Sequence, residues 1–179
     1  MGASTAARTT PEILALEAQR AWPAWPPGCE PARCPVFVRN QLVIPAPPER
    51  VFAWLERADL WPTWFARVTK LHFDHGGPAL AVNDVVDWHM LGAKIRVTVR
   101  RVERGRLLEW EGGASGVHAY HTWLLEPVAG GTLVLTNETE HGSVPSLLSA
   151  YLRHALKDAH QSWLESLARV VATGDPPRR

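Results

Sequence analysis

Two stretches of this sequence carry residues that could move protons. The first is VHAYHTWLLE, residues 117–126. Alternation along a strand puts Val117, Ala119, His121, Trp123 and Leu125 on one face, and His118, Tyr120, Thr122 and Glu126 on the other. The first set is the more apolar and is expected to turn inward, which makes His121 a polar group among apolar neighbours. A neutral imidazole donates from one nitrogen and accepts at the other, so His121 could orient a ligand oxygen or pass a proton near neutral pH. The competing reading is a core histidine bonded to a neighbouring strand. The second stretch is TLVLTNETEH, residues 132–141. Here Leu133, Leu135, Asn137, Thr139 and His141 share one face, and Val134, Thr136, Glu138 and Glu140 the other. Apolar counting turns the first set inward, and a one-residue slip in register would exchange the two.

Other chemistries find less support. Cys29 and Cys34 are the only cysteines. One such pair makes neither a disulfide framework nor a four-ligand zinc site, and reduced, incidental thiols are expected. His118 and His121, like His72 and His75, are three apart, which on a strand means opposite faces. His154 and His160, six apart, diverge on a helix. No metal and no cofactor are therefore expected. The pairs Gly76-Gly77, Gly112-Gly113 and Gly130-Gly131 read as turn glycines rather than as a phosphate-binding loop. A formal net charge of +1 over 179 residues gives no field favouring nucleic acid or an anionic membrane.

The elements that must position these residues follow from the pattern. Thr10-Pro11-Glu12 reads as a helix start, with a short helix to Ala21. AWPAWPPGCEPARCP then holds five prolines, which no regular element survives; Trp22 and Trp25 are candidates to anchor this arm to the body. VFVRNQLVI from Val36 is strand-like. Two short helices follow, one carrying Val51, Phe52, Trp54 and Leu55, the next holding WPTWF with Asp59 as its cap. Strands are expected over residues 67–73, 84–91, 94–102, 106–111, 117–126 and 132–141. Leu147, Leu148, Tyr151, Leu152, Ala155, Ala159, Trp163, Leu167 and Val170 recur at helical spacing and predict one long amphipathic helix from about Pro145 to Thr173. Gly174, Pro176 and Pro177 end it.

Consecutive strands joined by short turns make an antiparallel sheet, and its apolar face needs a cover that only the long helix can supply. The fold class is α+β: a curved sheet of six or seven strands around a C-terminal helix, with space for an apolar pocket between them. The expected division is an arm over residues 1–35, a ligand-binding domain over 36–173 and a tail over 174–179. Nine Trp stand beside two Tyr and four Phe. Trp88, Trp110 and Trp123 fall on the apolar faces of their strands, so they, with Met90 and Tyr151, are the expected ligand-binding set. No apolar run is long enough for a signal peptide or a membrane span, so a cytoplasmic location is the expectation.

IPAPPERVFAWL, DLWPTWFARV, NDVVDWHM, RLLEWEGG, VHAYHTWLLEP and GGTLVLTNETEHG, in this order before a terminal helix, resemble the START-like or SRPBCC superfamily, in particular its polyketide cyclase/dehydrase group. The resemblance runs from about Val36 to Val171 and implies a helix-grip cavity for a hydrophobic, often aromatic or polycyclic, ligand. It also implies the opposite register for the last strand, with Glu138 inward on a strand beside that of His121. The two would then serve as acid and base in a cyclisation or dehydration. A carrier with the same apolar walls and no catalysis is the alternative. Another is an interaction module whose Trp- and Pro-rich segment, Trp22 to Pro35, meets a protein partner. A homodimer is left open.

Overall fold

The structure is a computed structural model and describes residues 24–178. The expected helix over residues 10–21 and the anchoring role of Trp22 lie outside the described residues. β1 (Val36–Ile44) leads through Pro45–Pro47 into α1 (Pro48–Glu56). Proline at the first position of α1 supplies a fixed φ where no N–H is needed. A 3₁₀ turn (Ala58–Leu60) and α2 (Trp61–Trp64) follow. The sheet then continues as β2 (Thr69–His75), β3 (Val85–Met90), β4 (Ala93–Glu103), β5 (Leu107–Ala114), β6 (Val117–Val128) and β7 (Gly131–His141), before α3 (Ser143–Val171).

All seven strands form one curved antiparallel sheet in the order β1-β7-β6-β5-β4-β3-β2. Four tight connections join β3 through β7, and the longer segment 76–84 joins β2 to β3. The long excursion is the helical segment after β1, which returns the chain to the far edge. β1 closes the other edge against β7, with Val38 opposite Glu138. α3 lies in the concavity, against β1, β7, β6 and α1. This is the expected helix-grip architecture.

The inner face builds the main core. Trp61 sits at its centre, with its ring 5.7 Å from Trp88, 5.7 Å from Trp110 and 5.1 Å from Trp163. Phe65 stacks on Trp163 at 4.8 Å. The Trp61 indole donates to the Leu55 carbonyl at 2.9 Å, so the 3₁₀ turn and α2 are tied to α1 while the ring is buried. Asp59 does not cap α2; its carboxylate accepts from the neighbouring Arg57 guanidinium at 2.8 and 2.7 Å.

Two sequence expectations need correcting. The apolar stripe of α3 is gripped only over its second half: Leu156, Ala159, Trp163, Leu164 and Leu167 are buried, whereas Leu147 is 82% exposed and Tyr151 69%. The helix departs from helical φ/ψ at Leu148 (φ −117°, ψ 24°), which separates its first turn from the gripped part. The face-counting argument for β7 also fails. Leu133 and Leu135 do form a buried apolar cluster with Leu107 and Leu124, but it lies on the outer face of the sheet. Because both faces are buried there, apolar content does not identify the inner one.

Part of the arm is folded onto that outer face. Trp25 packs edge-on against Phe37 and Tyr120, with ring centroids at 6.2 and 5.9 Å. Arg153 donates to the Pro35 carbonyl at 2.7 Å.

Candidate functional site: a His–Glu–His cluster at the wall of an apolar cavity

The site is assembled by strand register. His121 and Glu138 are directly opposed across β6 and β7, so both side chains leave the sheet on its concave side. His160, one turn before Trp163 on α3, meets them from above. His121 Nδ1 lies 3.0 Å from Glu138 Oε2, and His160 Nε2 lies 3.0 Å from the same oxygen. All three residues are buried, and the two imidazole rings stack with centroids 4.6 Å apart. His121 Nε2 lies 2.6 Å from Thr136 Oγ1.

Protonation follows from these contacts. Burial outweighs the attraction of Glu138 and lowers the His121 pKa to about 4, so the ring is neutral at pH 7. Its Nδ1–H then donates to the carboxylate, and Nε2 accepts from the Thr136 hydroxyl. Burial opposes ionisation of Glu138 as well. In the acid range where the carboxyl would titrate, attraction to the protonated His121 ring and the hydrogen bonds of His121 and His160 more than offset it and hold the carboxyl below its ordinary range. Glu140, two residues on and on the same face, has no such donors among the described residues. Burial and the negative charge of Glu138 push its pKa up to about 8, so at pH 7 it is mostly a neutral acid.

The cluster borders an apolar cavity of about 300 Å³. Trp88, Met90, Val97, Trp110 and Trp163 form its inner walls; Leu91, Leu148 and Tyr151 stand towards its mouth. His121, Glu138 and Glu140 form the ionisable patch. Gly112 and Gly113, with φ of 149° and 147°, let β5 bend beside the cavity. A Cβ on Gly112 would lie 2.1 Å from the Arg96 carbonyl oxygen, so no other residue fits there.

Of the expected site residues, Trp88, Met90, Trp110, Tyr151, His121 and Glu138 all border the cavity. Trp123 does not. It is fully buried behind His121, stacked on that ring at 5.3 Å and edge-on to Trp163 at 5.4 Å, so it packs against the imidazole. Sequence reasoning passed over His160 and Glu140. Glu140 shares the alternation of Glu138 and was there to be read once the register was chosen. His160 sits three residues before Trp163 on the helical stripe. The donors of His121, Glu138 and His160 lie within 4.8 Å of one another, a spacing that could also ligate a metal. Their shared oxygen and the second nitrogen of His121 are already engaged, whereas Nδ1 of His160 is buried with no hydrogen-bond partner among the described residues.

The comparisons agree with this architecture. No curated protein matches the chain. A crystal structure of the hypothetical protein jhp0584 from Helicobacter pylori is similar at 21% identity, covering 86% of this chain and 98% of that one, with a TM-score of 0.78. The Zhui aromatase/cyclase from Streptomyces sp. R1128 is 16% identical over 78% of this chain and 98% of its own, with a TM-score of 0.65. The di-domain ARO/CYC StfQ from the steffimycin biosynthetic pathway is 19% identical over 77% of this chain and 50% of its own, with a TM-score of 0.64. At these identities the structures share the fold. The family model described as polyketide cyclase / dehydrase and lipid transport matches residues 36–172, and the chain belongs to that family.

Proposed function

We propose that the protein binds a flat, hydrophobic, carbonyl-bearing molecule of polyketide type and catalyses its dehydration or cyclisation. The observation that carries this reading is an apolar cavity whose ionisable groups form one patch, with Glu138 held by two imidazoles and Glu140 beside it. A volume of about 300 Å³ is at the lower end for ligand pockets, which suits about two or three fused rings better than a long-chain lipid. Trp88 and Trp163 line the cavity, and each has a buried indole N–H with no acceptor among the described residues. A ligand carbonyl would supply one.

Both nitrogens of His121 are engaged, so it serves as a positioning residue that fixes Glu138. The proton-transfer pair is then Glu138 and Glu140. In a dehydration, a C–H flanked by carbonyls gives its proton to the Glu138 carboxylate. Its electron pair forms the C=C bond, the C–O bond breaks, and Glu140 protonates the departing hydroxyl to give water. The proton on Glu138 then passes back to Glu140. A pKa of about 8 suits a general acid at neutral pH.

The test uses a synthetic poly-β-ketone thioester, followed by the absorbance of the aromatic product. Glu140→Gln should lower turnover by roughly 100-fold. Binding of 2-naphthol, read by tryptophan fluorescence, should change little. Wild-type protein that quenches with naphthol but gives no product would favour the carrier reading over catalysis.

A further inference from the structure

On the opposite face of the sheet, a second cluster of donors is formed by three segments far apart in the chain. His118 on β6 and His141 on β7 are directly opposed in register. Their rings lie 4.6 Å apart at 35°. Cys29 reaches them from the arm, where a turn returns its N–H to the Pro26 carbonyl at 3.0 Å and Gly28 takes a φ of 89°. The Cys29 sulfur and one nitrogen of each histidine all lie within 4.8 Å of one another. Cys29 is buried, and the Nδ1 of His141 is buried with no hydrogen-bond partner among the described residues. Cys34 is also a free thiol. Its sulfur is 3.6 Å from the carbonyl of Gly28 and is not within 4.8 Å of all three donors.

We propose that Cys29, His118 and His141 bind a zinc ion that clips the arm to the outer face of the sheet, and that the arm's other thiol, Cys34, turns in on binding as fourth donor. One thiolate and two imidazoles suit a borderline-soft divalent ion, and two sulfurs with two nitrogens make a tetrahedral set. A buried imidazole nitrogen without a partner is what such an ion would satisfy. His118 is exposed, which leaves an entry path. Zinc would bind the thiolate form of each cysteine, so the thiol protons are released to solvent on binding. The site lies across the sheet from the cavity: His141 follows Glu140, and His118 precedes Ala119, both of which line the cavity. Its role is structural, since Trp25 and Cys29 bring residues 24–35 against β1 and β6 at the same place.

Cobalt(II) is the probe, added to full-length protein reduced and stripped with a chelator. One equivalent should give the visible bands of a tetrahedral ion and the near-ultraviolet band of thiolate-to-cobalt charge transfer, and one equivalent of zinc should bleach both. Cys29→Ser should abolish the charge-transfer band or weaken binding severely. His141→Gln should weaken binding by more than about 100-fold, beyond what an outer partner would cost. Cys34→Ser should keep binding with a weaker charge-transfer band. Each variant is used only if its far-ultraviolet circular dichroism matches wild type. His160→Gln controls for the cavity cluster and should leave the spectrum unchanged. The assignment is overturned if stoichiometric cobalt gives no bands, if bands appear without charge transfer, if Cys29→Ser behaves as wild type, or if His160→Gln removes the signal.

Discussion

The two faces of β5, β6 and β7 each bury a carboxylate, and the two are treated differently. On the concave side Glu138 receives N–H donors from His121 and His160 and is held ionised. On the convex side Glu109 receives the Tyr120 hydroxyl at 3.0 Å, and burial outweighs that bond and raises its pKa. Both side chains are almost fully enclosed. Depth is therefore not what fixes the charge. The number and kind of donors is, because a carboxylate taken out of water stays charged only when several groups replace the lost solvation. One face has a carboxylate whose charge is favoured by its donors, beside a cavity, and the other has a carboxyl whose ionisation burial opposes.

The strongest test of that contrast replaces each carboxyl by its amide. Glu138→Gln removes the charge from two hydrogen bonds in a buried cluster, and we expect a loss of about 3 kcal/mol. Glu109→Gln keeps the shape and replaces a carboxyl whose ionisation burial already opposes, and about 1 kcal/mol or less is expected. Urea denaturation midpoints at equal m-value give both numbers. Equal losses would break the comparison, since it rests on donors favouring the charge of one and burial opposing the charge of the other.

The difference between the faces also explains how much of this molecule could be read from its sequence. The strands and the terminal helix were legible because the alternation in β4 and the unbroken run before Gly174 are local signals. His121 was legible because Val117, Ala119, Trp123 and Leu125 mark its face as apolar. The register of β7 was not, because Leu133 and Leu135 are buried on the outer side against Leu107 and Leu124; only the family resemblance turned Glu138 inward. His160 was invisible for a different reason. Its partners are on another element, and no spacing along α3 reports how the helix is rotated in the sheet. Cys29, His118 and His141 show the same limit: each is unremarkable in its own segment, and only the folded sheet and arm bring them together.

A second, smaller effect is a pH dependence carried by two groups of the concave face. The pKa of Glu140 is raised from 4.5 to about 8 in the native state, so native protein holds a proton that unfolded protein releases. Its contribution to stability is full below pH 4.5 and is lost as pH rises towards 8. His121 has the opposite sign. Its native pKa of about 4 lies below the ordinary 6.5, so its contribution is full above pH 6.5 and is lost as pH falls towards 4. The two oppose each other between pH 4.5 and 6.5, and above 6.5 only the Glu140 contribution still changes. Wild-type Tm is therefore expected to fall between pH 6.5 and 8, and Glu140→Gln should flatten that fall. An unchanged slope in the variant would move the responsible group elsewhere, with Glu109 on the outer face the next to replace.

The smallest effects belong to the ungripped start of α3. Leu147 is the most exposed of the large apolar side chains described, and Tyr151 stands at the cavity mouth with most of its surface in solvent. Neither adds much to the folded state, because area that stays wet gives no burial free energy. Leu147→Ser should change stability by less than about 0.5 kcal/mol. Tyr151→Ala should be as mild for stability, yet it removes part of the rim that a ligand must pass. The expected signature is a change in the rates of 2-naphthol association and dissociation by stopped-flow fluorescence, with a similar Kd. A large drop in Tm for either variant would show that the first turns of α3 are held as firmly as Trp163, and the contrast between its gripped and open halves would fail.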